Sequence, residues 1–197
     1  SDNIFKFNEQ EVLKTLALYG ANASGKSNLI KTIRFCNAMV YESHKHNENT
    51  IFNFKPFKFK GYSNKPSTYF IRFVLNEVEY KYSFSLNRTE ILKESLYYYP
   101  NGRKAKIFER DENAGNQKRD KYSFGSSVIR RPFDVAEITS KKTLYISRER
   151  KMDRAITKDM FNFFHSHFIF RNSSCGTSNS ESLVKVYKNH LLKSLRV

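Results

Sequence analysis

The spacing of hydrophobic positions changes period along the chain, and each change predicts a different element. Leu13 to Tyr19 (LKTLALY) is short and mostly apolar, as a buried parallel strand should be. Leu29, Ile33, Cys36 and Val40 then recur at helical spacing, with Ile30 and Met39 widening the stripe and Lys31, Arg34 and Asn37 off it. A polar break, ESHKHNENT from Glu42 to Thr50, reads as a solvated loop. From Phe54 the period becomes two. Phe57 and Phe59 alternate with lysines in KPFKFK, and Tyr69, Ile71, Phe73 and Leu75 share one face of YFIRFVL. Val78, Tyr80, Tyr82, Phe84 and Leu86 share one face of VEYKYSFSL. This is the pattern of an antiparallel sheet with one wet side. Asn76–Glu77 makes a tight hairpin turn between the last two segments.

A third segment, EILKESLYYY, runs into the turn signal Pro100–Asn101–Gly102, and KAKIFERDE reads as a returning strand. Asp111 to Lys121 is a polar loop or hairpin tip, and KYSFG is short and strand-like. Thr143 to Ser147 (TLYIS) is another expected strand. A charged helix pattern follows it, with Met152, Ile156, Met160 and Phe163 on one face. RNSSCGTSNSES reads as a loop and Leu183 to Leu195 as an amphipathic helix, with Val186, Tyr187, His190 and Leu191 along its face. The organisation expected is a strand and helix over residues 1–50, an antiparallel lobe over 51–140, and a strand with basic helices over 141–197. The last segment begins a second lobe or an insertion.

Between the first apolar run and the first helix lies YGANASGKSNL, where polar residues and glycines interrupt the core. Gly20, Ala21, Asn22, Ala23, Ser24, Gly25, Lys26 and Ser27 fit G-x-x-x-x-G-K-[ST], the phosphate-binding loop. Two glycines let the backbone turn tightly, so that successive amides can point at a polyphosphate. Lys26 can set its ammonium on the β- and γ-phosphates, and the Ser27 hydroxyl can complete a Mg²⁺ shell. Asn28 and the residues after it open a helix, whose first amides favour an anion. Strand, loop and helix in this order are what the motif requires. The expected cofactors are therefore ATP and Mg²⁺.

Composition narrows the class. The 197 residues suffice for one sizeable core, and 18 Phe with 12 Tyr are too many aromatics for a disordered chain. No apolar run approaches the length of a membrane-spanning helix, and Ser1–Asp2–Asn3 opens no signal peptide, so a cytoplasmic protein without membrane contact is expected. Cys36 and Cys175 form no disulfide framework, and His44 with His46, like His165 with His167, lacks metal-site spacing. The aromatics invite comparison with a stacking surface for single-stranded nucleic acid, but their strict alternation reads as sheet core. The net charge of +16 implies a polyanionic partner: DNA, RNA or an acidic protein. The excess is densest from Lys141 onward. There Lys141, Lys142, Arg148, Arg150, Lys151 and Arg154 crowd a strand–helix junction and form the candidate patch.

Nucleotide hydrolysis needs a further element: an apolar strand of about four residues ending in Asp, often Asp-Glu, to hold Mg²⁺ and polarise water. Asp134 has only one apolar residue immediately before it. Asp111, Asp120, Asp153 and Asp159 lie in charged or polar stretches. The chain reads as able to hold ATP, with its catalytic residues unidentified.

YGANASGKSNLIKTI resembles the head of the ABC- and SMC-like ATPases. Within them it resembles the AAA15/AAA21 ATP-binding proteins linked to phage defence and to overcoming-lysogenization-type nucleases. The FKPFKF segment, the PSTYFIRFVL–EYKYSFSL hairpin, KESLYYY, KIFER and TLYIS carry the resemblance over most of Val12 to Val197. It implies an α/β P-loop NTPase, here the N-terminal half of an ABC-type head, with Lys26 and Ser27 in their standard roles. In such relatives a second half supplies a Ser-Gly signature, the Asp-Glu strand and a switch His, and two heads sandwich two ATP molecules. No residue here matches those three, SFGSS at Ser123–Ser127 is a poor signature, and neither Gln10 nor Gln117 fits the Mg²⁺-touching Gln. Both ends of the chain are expected to be cut.

The function expected is an ATPase head, paired with a second head, that gates a nuclease or toxin in a defence or DNA-processing complex. A DNA-repair or chromosome-maintenance ATPase of the same superfamily stays open. So does a non-catalytic module in which nucleotide is structural, for which the absent Asp-Glu strand speaks. A small-molecule kinase uses the same loop, but the long aromatic sheet region and the Asn-Ala-Ser filling of the loop speak against it.

Overall fold

A computed structural model describes residues 3–7, 10–13, 15–53, 56, 61–62, 64–125, 132–149, 155–167, 169–173, 181–185 and 192–196. The chain opens with an antiparallel hairpin, β1 (Ile4–Phe7) and β2 (Gln10–Leu13). Helix α1 (Lys26–Glu42) follows the phosphate-loop motif. Four long or medium strands then form a meander: β3 (Ser67–Leu75), β4 (Val78–Leu86), β5 (Ile91–Tyr99) and β6 (Ala105–Asp111). The short β7 (Tyr122–Phe124) completes that edge. Helices α2 (Pro132–Ile138), α3 (Tyr145–Glu149) and α4 (Ala155–His167) come next, then β8 (Ile169–Ser173), β9 (Glu181–Lys185) and β10 (Leu192–Arg196). The main sheet is antiparallel throughout, in the order β10-β3-β4-β5-β6-β7, while β8 and β9 pair with each other.

The alternation sorts the meander as the sequence implies. Tyr69, Ile71 and Phe73 of β3, Tyr82, Phe84 and Leu86 of β4, Leu96 of β5 and Phe108 of β6 are buried. They join one core with Cys36, Met39 and Val40 of α1, Leu144, Tyr145 and Ile146 of the α3 region, and Met160, Phe163 and Phe164 of α4. Phe73 stacks on Phe163 at 4.4 Å and Phe108 meets Tyr145 at 4.7 Å. Each fully buried Phe contributes about 1.5–3 kcal/mol, so α4 is held on the sheet largely by ring packing, while α1 buries Cys36, Met39 and Val40 against it. The turn between β3 and β4 is Asn76–Glu77, both with positive φ, as a two-residue hairpin of matching twist requires.

Four expectations are corrected. Leu13–Tyr19 is no buried strand. Only Leu13 belongs to β2, and residues 15–20 carry no regular structure, with Leu16 67%, Leu18 47% and Tyr19 91% exposed. Thr143–Ser147 is not a strand, because α3 begins at Tyr145 and Leu144 through Ser147 are wholly buried. Leu183–Leu195 is not one helix, since strands β9 and β10 occupy its two ends and find backbone partners in β8 and β3. Arg171–Ser173, read as loop, closes β8. The alternation of KPFKFK falls largely outside the described residues. No helix among the described residues is long and apolar enough to cross a membrane.

Candidate functional site

The phosphate loop lies at the exposed N-terminus of α1. Gly25 takes the left-handed conformation at φ 93°, and Ala23 has φ 66°. Alternating conformations of this kind turn successive amides toward one point. A side chain at Gly25 would be strained. At Gly20 an added Cβ would sit 2.9 Å from Ser24 Oγ, so this glycine permits the loop's close approach to itself. Ser24 N donates to the Ala21 carbonyl at 3.3 Å, while Asn28 N and Leu29 N both donate to the Gly25 carbonyl. No backbone carbonyl of the described residues takes the amides of Gly25, Lys26 or Ser27. These are the amides that a helix N-terminus leaves for an anion.

Lys26 turns back into the loop. Its Nζ donates to the Gly20 and Ala21 carbonyls, both at 2.6 Å, and to Ser24 Oγ at 3.3 Å. The ammonium is thereby centred over the loop, where a polyphosphate bound by the amides would meet it. Asn22, Ser27 and Asn28 are exposed. The donor set fits a nucleotide polyphosphate: unpaired amides, one cation aimed across them, and a hydroxyl at Ser27 able to reach a Mg²⁺ held by that phosphate. Among the described residues no group of three or more His, Cys, Asp or Glu side chains could hold a metal by itself.

Asp111–Glu112 is the chain's one Asp-Glu pair, and it serves the lobe. Asp111 Oδ2 pairs with Lys93 at 2.7 Å and its Oδ1 takes the Asn113 amide. Glu112 binds Arg110 at 2.7 Å through Oε1 and Lys121 at 3.1 Å through Oε2. The basic patch is also partly consumed by structure. Lys142 is buried, donating to the Thr50 carbonyl at 2.9 Å with its ammonium over Phe52, so it presents no surface charge. Lys141 is exposed beside Glu90 at 3.5 Å, and Arg148 is half-buried in α3. Arg150, Lys151 and Arg154 lie outside the described residues. The polar break after α1 is packed rather than solvated at its two histidines: His44 Nδ1 meets Ser147 Oγ at 3.2 Å and His46 Nδ1 the Lys142 carbonyl at 3.0 Å.

A buried polar joint escaped the sequence reading. Glu94 of β5 and Arg110 of β6 face each other in register on the core side. The Glu94 carboxylate accepts from Tyr82 Oη at 2.9 Å and from the amides of Tyr145 at 2.6 Å and Ile146 at 3.2 Å. Arg110 donates to the carbonyls of Thr143 at 2.7 Å and Ser140 at 3.0 Å. Its signal was a charge at an inward position of each of two adjacent alternating strands.

A glycine loop that opens a helix and is crossed by its own lysine is the arrangement of a P-loop. The family described as "AAA domain, putative AbiEii toxin, Type IV TA system" matches residues 16–172. The chain belongs to that family and is an AAA-type, ATP-binding ATPase domain of the toxin-associated kind, in a family that binds ATP with Mg²⁺. No curated protein and no solved structure matches it.

Proposed function

We propose that the chain is the ATP-binding half of an ABC-type ATPase head that gates an associated nuclease or toxin in a defence or DNA-processing complex. The observation that supports this most directly is the loop: Lys26 centred on the Gly20 and Ala21 carbonyls beside the first amides of α1. The toxin–antitoxin description of the family points the same way for the output. Residues 15–20 add weight. They lead into the loop with exposed apolar side chains and no ladder, so they offer a strand's backbone and face to a second half of the head. That half would supply the signature, the Asp-Glu strand and the switch His, and a second head would complete the nucleotide sandwich.

Equilibrium titration with labelled Mg·ATP tests the reading. Lys26→Ala removes a charge-assisted phosphate contact of about 2–3 kcal/mol. Equal affinity of wild type and K26A would sink the site. The chain alone is expected to release no phosphate, because its Asp-Glu pair is held by Lys93, Arg110 and Lys121. Turnover that vanishes in K26A would reveal a catalytic carboxylate in this half. That same engagement of Asp111 and Glu112 favours a second reading, a module in which ATP is bound and not cleaved.

A further inference from the structure

The sheet has a second face, turned away from α1 and α4, and its composition is unusual for a solvated surface. Phe70 of β3 and Tyr97 and Tyr99 of β5 lie on it, each half-buried. Each ring has a cation over it: Lys81 Nζ lies 5.5 Å from the Phe70 centroid, Lys104 Nζ 3.9 Å from Tyr97, and the Arg72 guanidinium 5.6 Å from Tyr99. Between them the surface is low. Ser83 is opposite Phe70 in register and Ser95 is opposite Ser83, with the two hydroxyls 2.8 Å apart. Small residues leave the rings standing clear of their neighbours, so a flat group can reach a ring face.

We infer that this face binds single-stranded nucleic acid, with bases on Phe70, Tyr97 and Tyr99 and the backbone phosphates on Lys81 and Lys104. One nucleotide unit presents a flat π-face and an anion a few ångströms away, and the Phe70–Lys81 and Tyr97–Lys104 pairs each present the complement of both. A cation over an exposed ring gains less than a stacked base does. A base therefore displaces it, and a flexible lysine swings to the phosphate. Of the acidic groups on this face, Glu79 pairs with Arg72, Glu109 with Lys106 and the Tyr97 hydroxyl, and Asp111 with Lys93, which leaves Lys81 and Lys104, resting on rings, as the cations free to meet phosphate. The chain's +16 supplies the long-range attraction. The surface shares no residue with the ATP loop or with the Lys141–Arg154 stretch.

Binding of end-labelled oligo-dT and oligo-U to the chain, followed by anisotropy at several salt concentrations, tests the assignment. Phe70→Ala, Tyr97→Ala and Tyr99→Ala are each expected to weaken binding about fivefold or more, whereas Tyr99→Phe retains it. Lys81→Gln and Lys104→Gln should each flatten the slope of log K against log salt by about 0.7. Mg·ATP titration of the ring variants, unchanged from wild type, shows that they fold and separates this surface from the phosphate loop. Three results would overturn the inference: ring variants that bind like wild type, a duplex of equal length bound as tightly, or poly-glutamate displacing the oligonucleotide as well as unlabelled oligo-dT does. The last would make the face a docking site for an acidic protein.

Discussion

Glu112 sits almost wholly buried with both carboxylate oxygens committed, Oε1 to Arg110 and Oε2 to Lys121. Burial alone would raise its carboxyl, but the attraction and hydrogen bonds of Arg110 and Lys121 hold it below the ordinary 4.5. Asp111 is lowered too, chiefly by its hydrogen bond from Lys93. A carboxyl that ionises more readily folded than unfolded stabilises the fold in its charged form. That contribution is complete above pH 4.5 and is lost as pH falls through the folded value. Chemical denaturation of wild type should therefore show stability falling with pH below about 4.5. Glu112→Gln should give a flatter profile there and a cost of about 1.5–3 kcal/mol at neutral pH. Glu94→Ala is a harsher change, since Arg110 and the amides of Tyr145 and Ile146 lose their acceptor. It should lower unfolding free energy by about 3–5 kcal/mol.

At the level of elements, the β3–β4 turn carries a local conflict. Asn76 and Glu77 both hold positive φ, at 50° and 63°, and Glu pays for that conformation where Gly would not. Glu77→Gly is expected to raise the denaturation midpoint by an amount worth about 0.5–1 kcal/mol, and an unchanged or lower midpoint would show the turn to be unstrained. The meander around it was legible because one face meets the core and the other does not, which writes a period of two into Tyr69–Leu86. Helix α1 was legible for the analogous reason, as was the loop, whose chemistry is local in sequence. Thr143–Ser147 was misread because its residues prefer strands. What fixes a helical turn there is remote: Glu94 takes the amides of Tyr145 and Ile146, and Ser43 Oγ takes that of Leu144 at 3.0 Å. The Leu183–Leu195 periodicity failed similarly, because pairing with β3 and β8 decides the conformation at its ends. Residues 15–19 have strand composition without a sheet partner among the described residues. The outer-face ring–cation pairs needed register, which joins Lys81 to Phe70 and Arg72 to Tyr99 across strands.

For the molecule as a whole, charge is the dominant physical fact. With 35 basic and 19 acidic residues, association with any polyanion should weaken steeply as salt rises. Changing Arg148, in the last turn of α3, together with Arg150 and Lys151 to Glu tests whether this segment contributes. If that segment forms a phosphate-contacting face, the triple variant should lose duplex DNA or structured RNA binding and most of its salt dependence. Unchanged binding would assign the interaction to other surfaces. Lys142 is left out of that test because its ammonium is spent on the Thr50 carbonyl, and its replacement would read out folding instead.

Helix α1 has the nucleotide loop at one end and a weld at the other. It is 17 residues long, roughly 25 Å at 1.5 Å per residue. Just past its C-terminus, Thr143 Oγ1 donates to the Ser43 carbonyl at 3.0 Å, the Ser43 hydroxyl takes the Leu144 amide, and the His44 amide donates to Ser147 Oγ at 3.1 Å. A rod fixed in this way behaves as a lever. If a bound phosphate draws in the loop, a tilt of α1 would be carried through these bonds to α3. Hydrogen exchange at Leu144–Ser147 should then respond to Mg·ATP in the wild type, and the response should be weaker in Ser43→Ala, which removes one of the three bonds and leaves the loop intact.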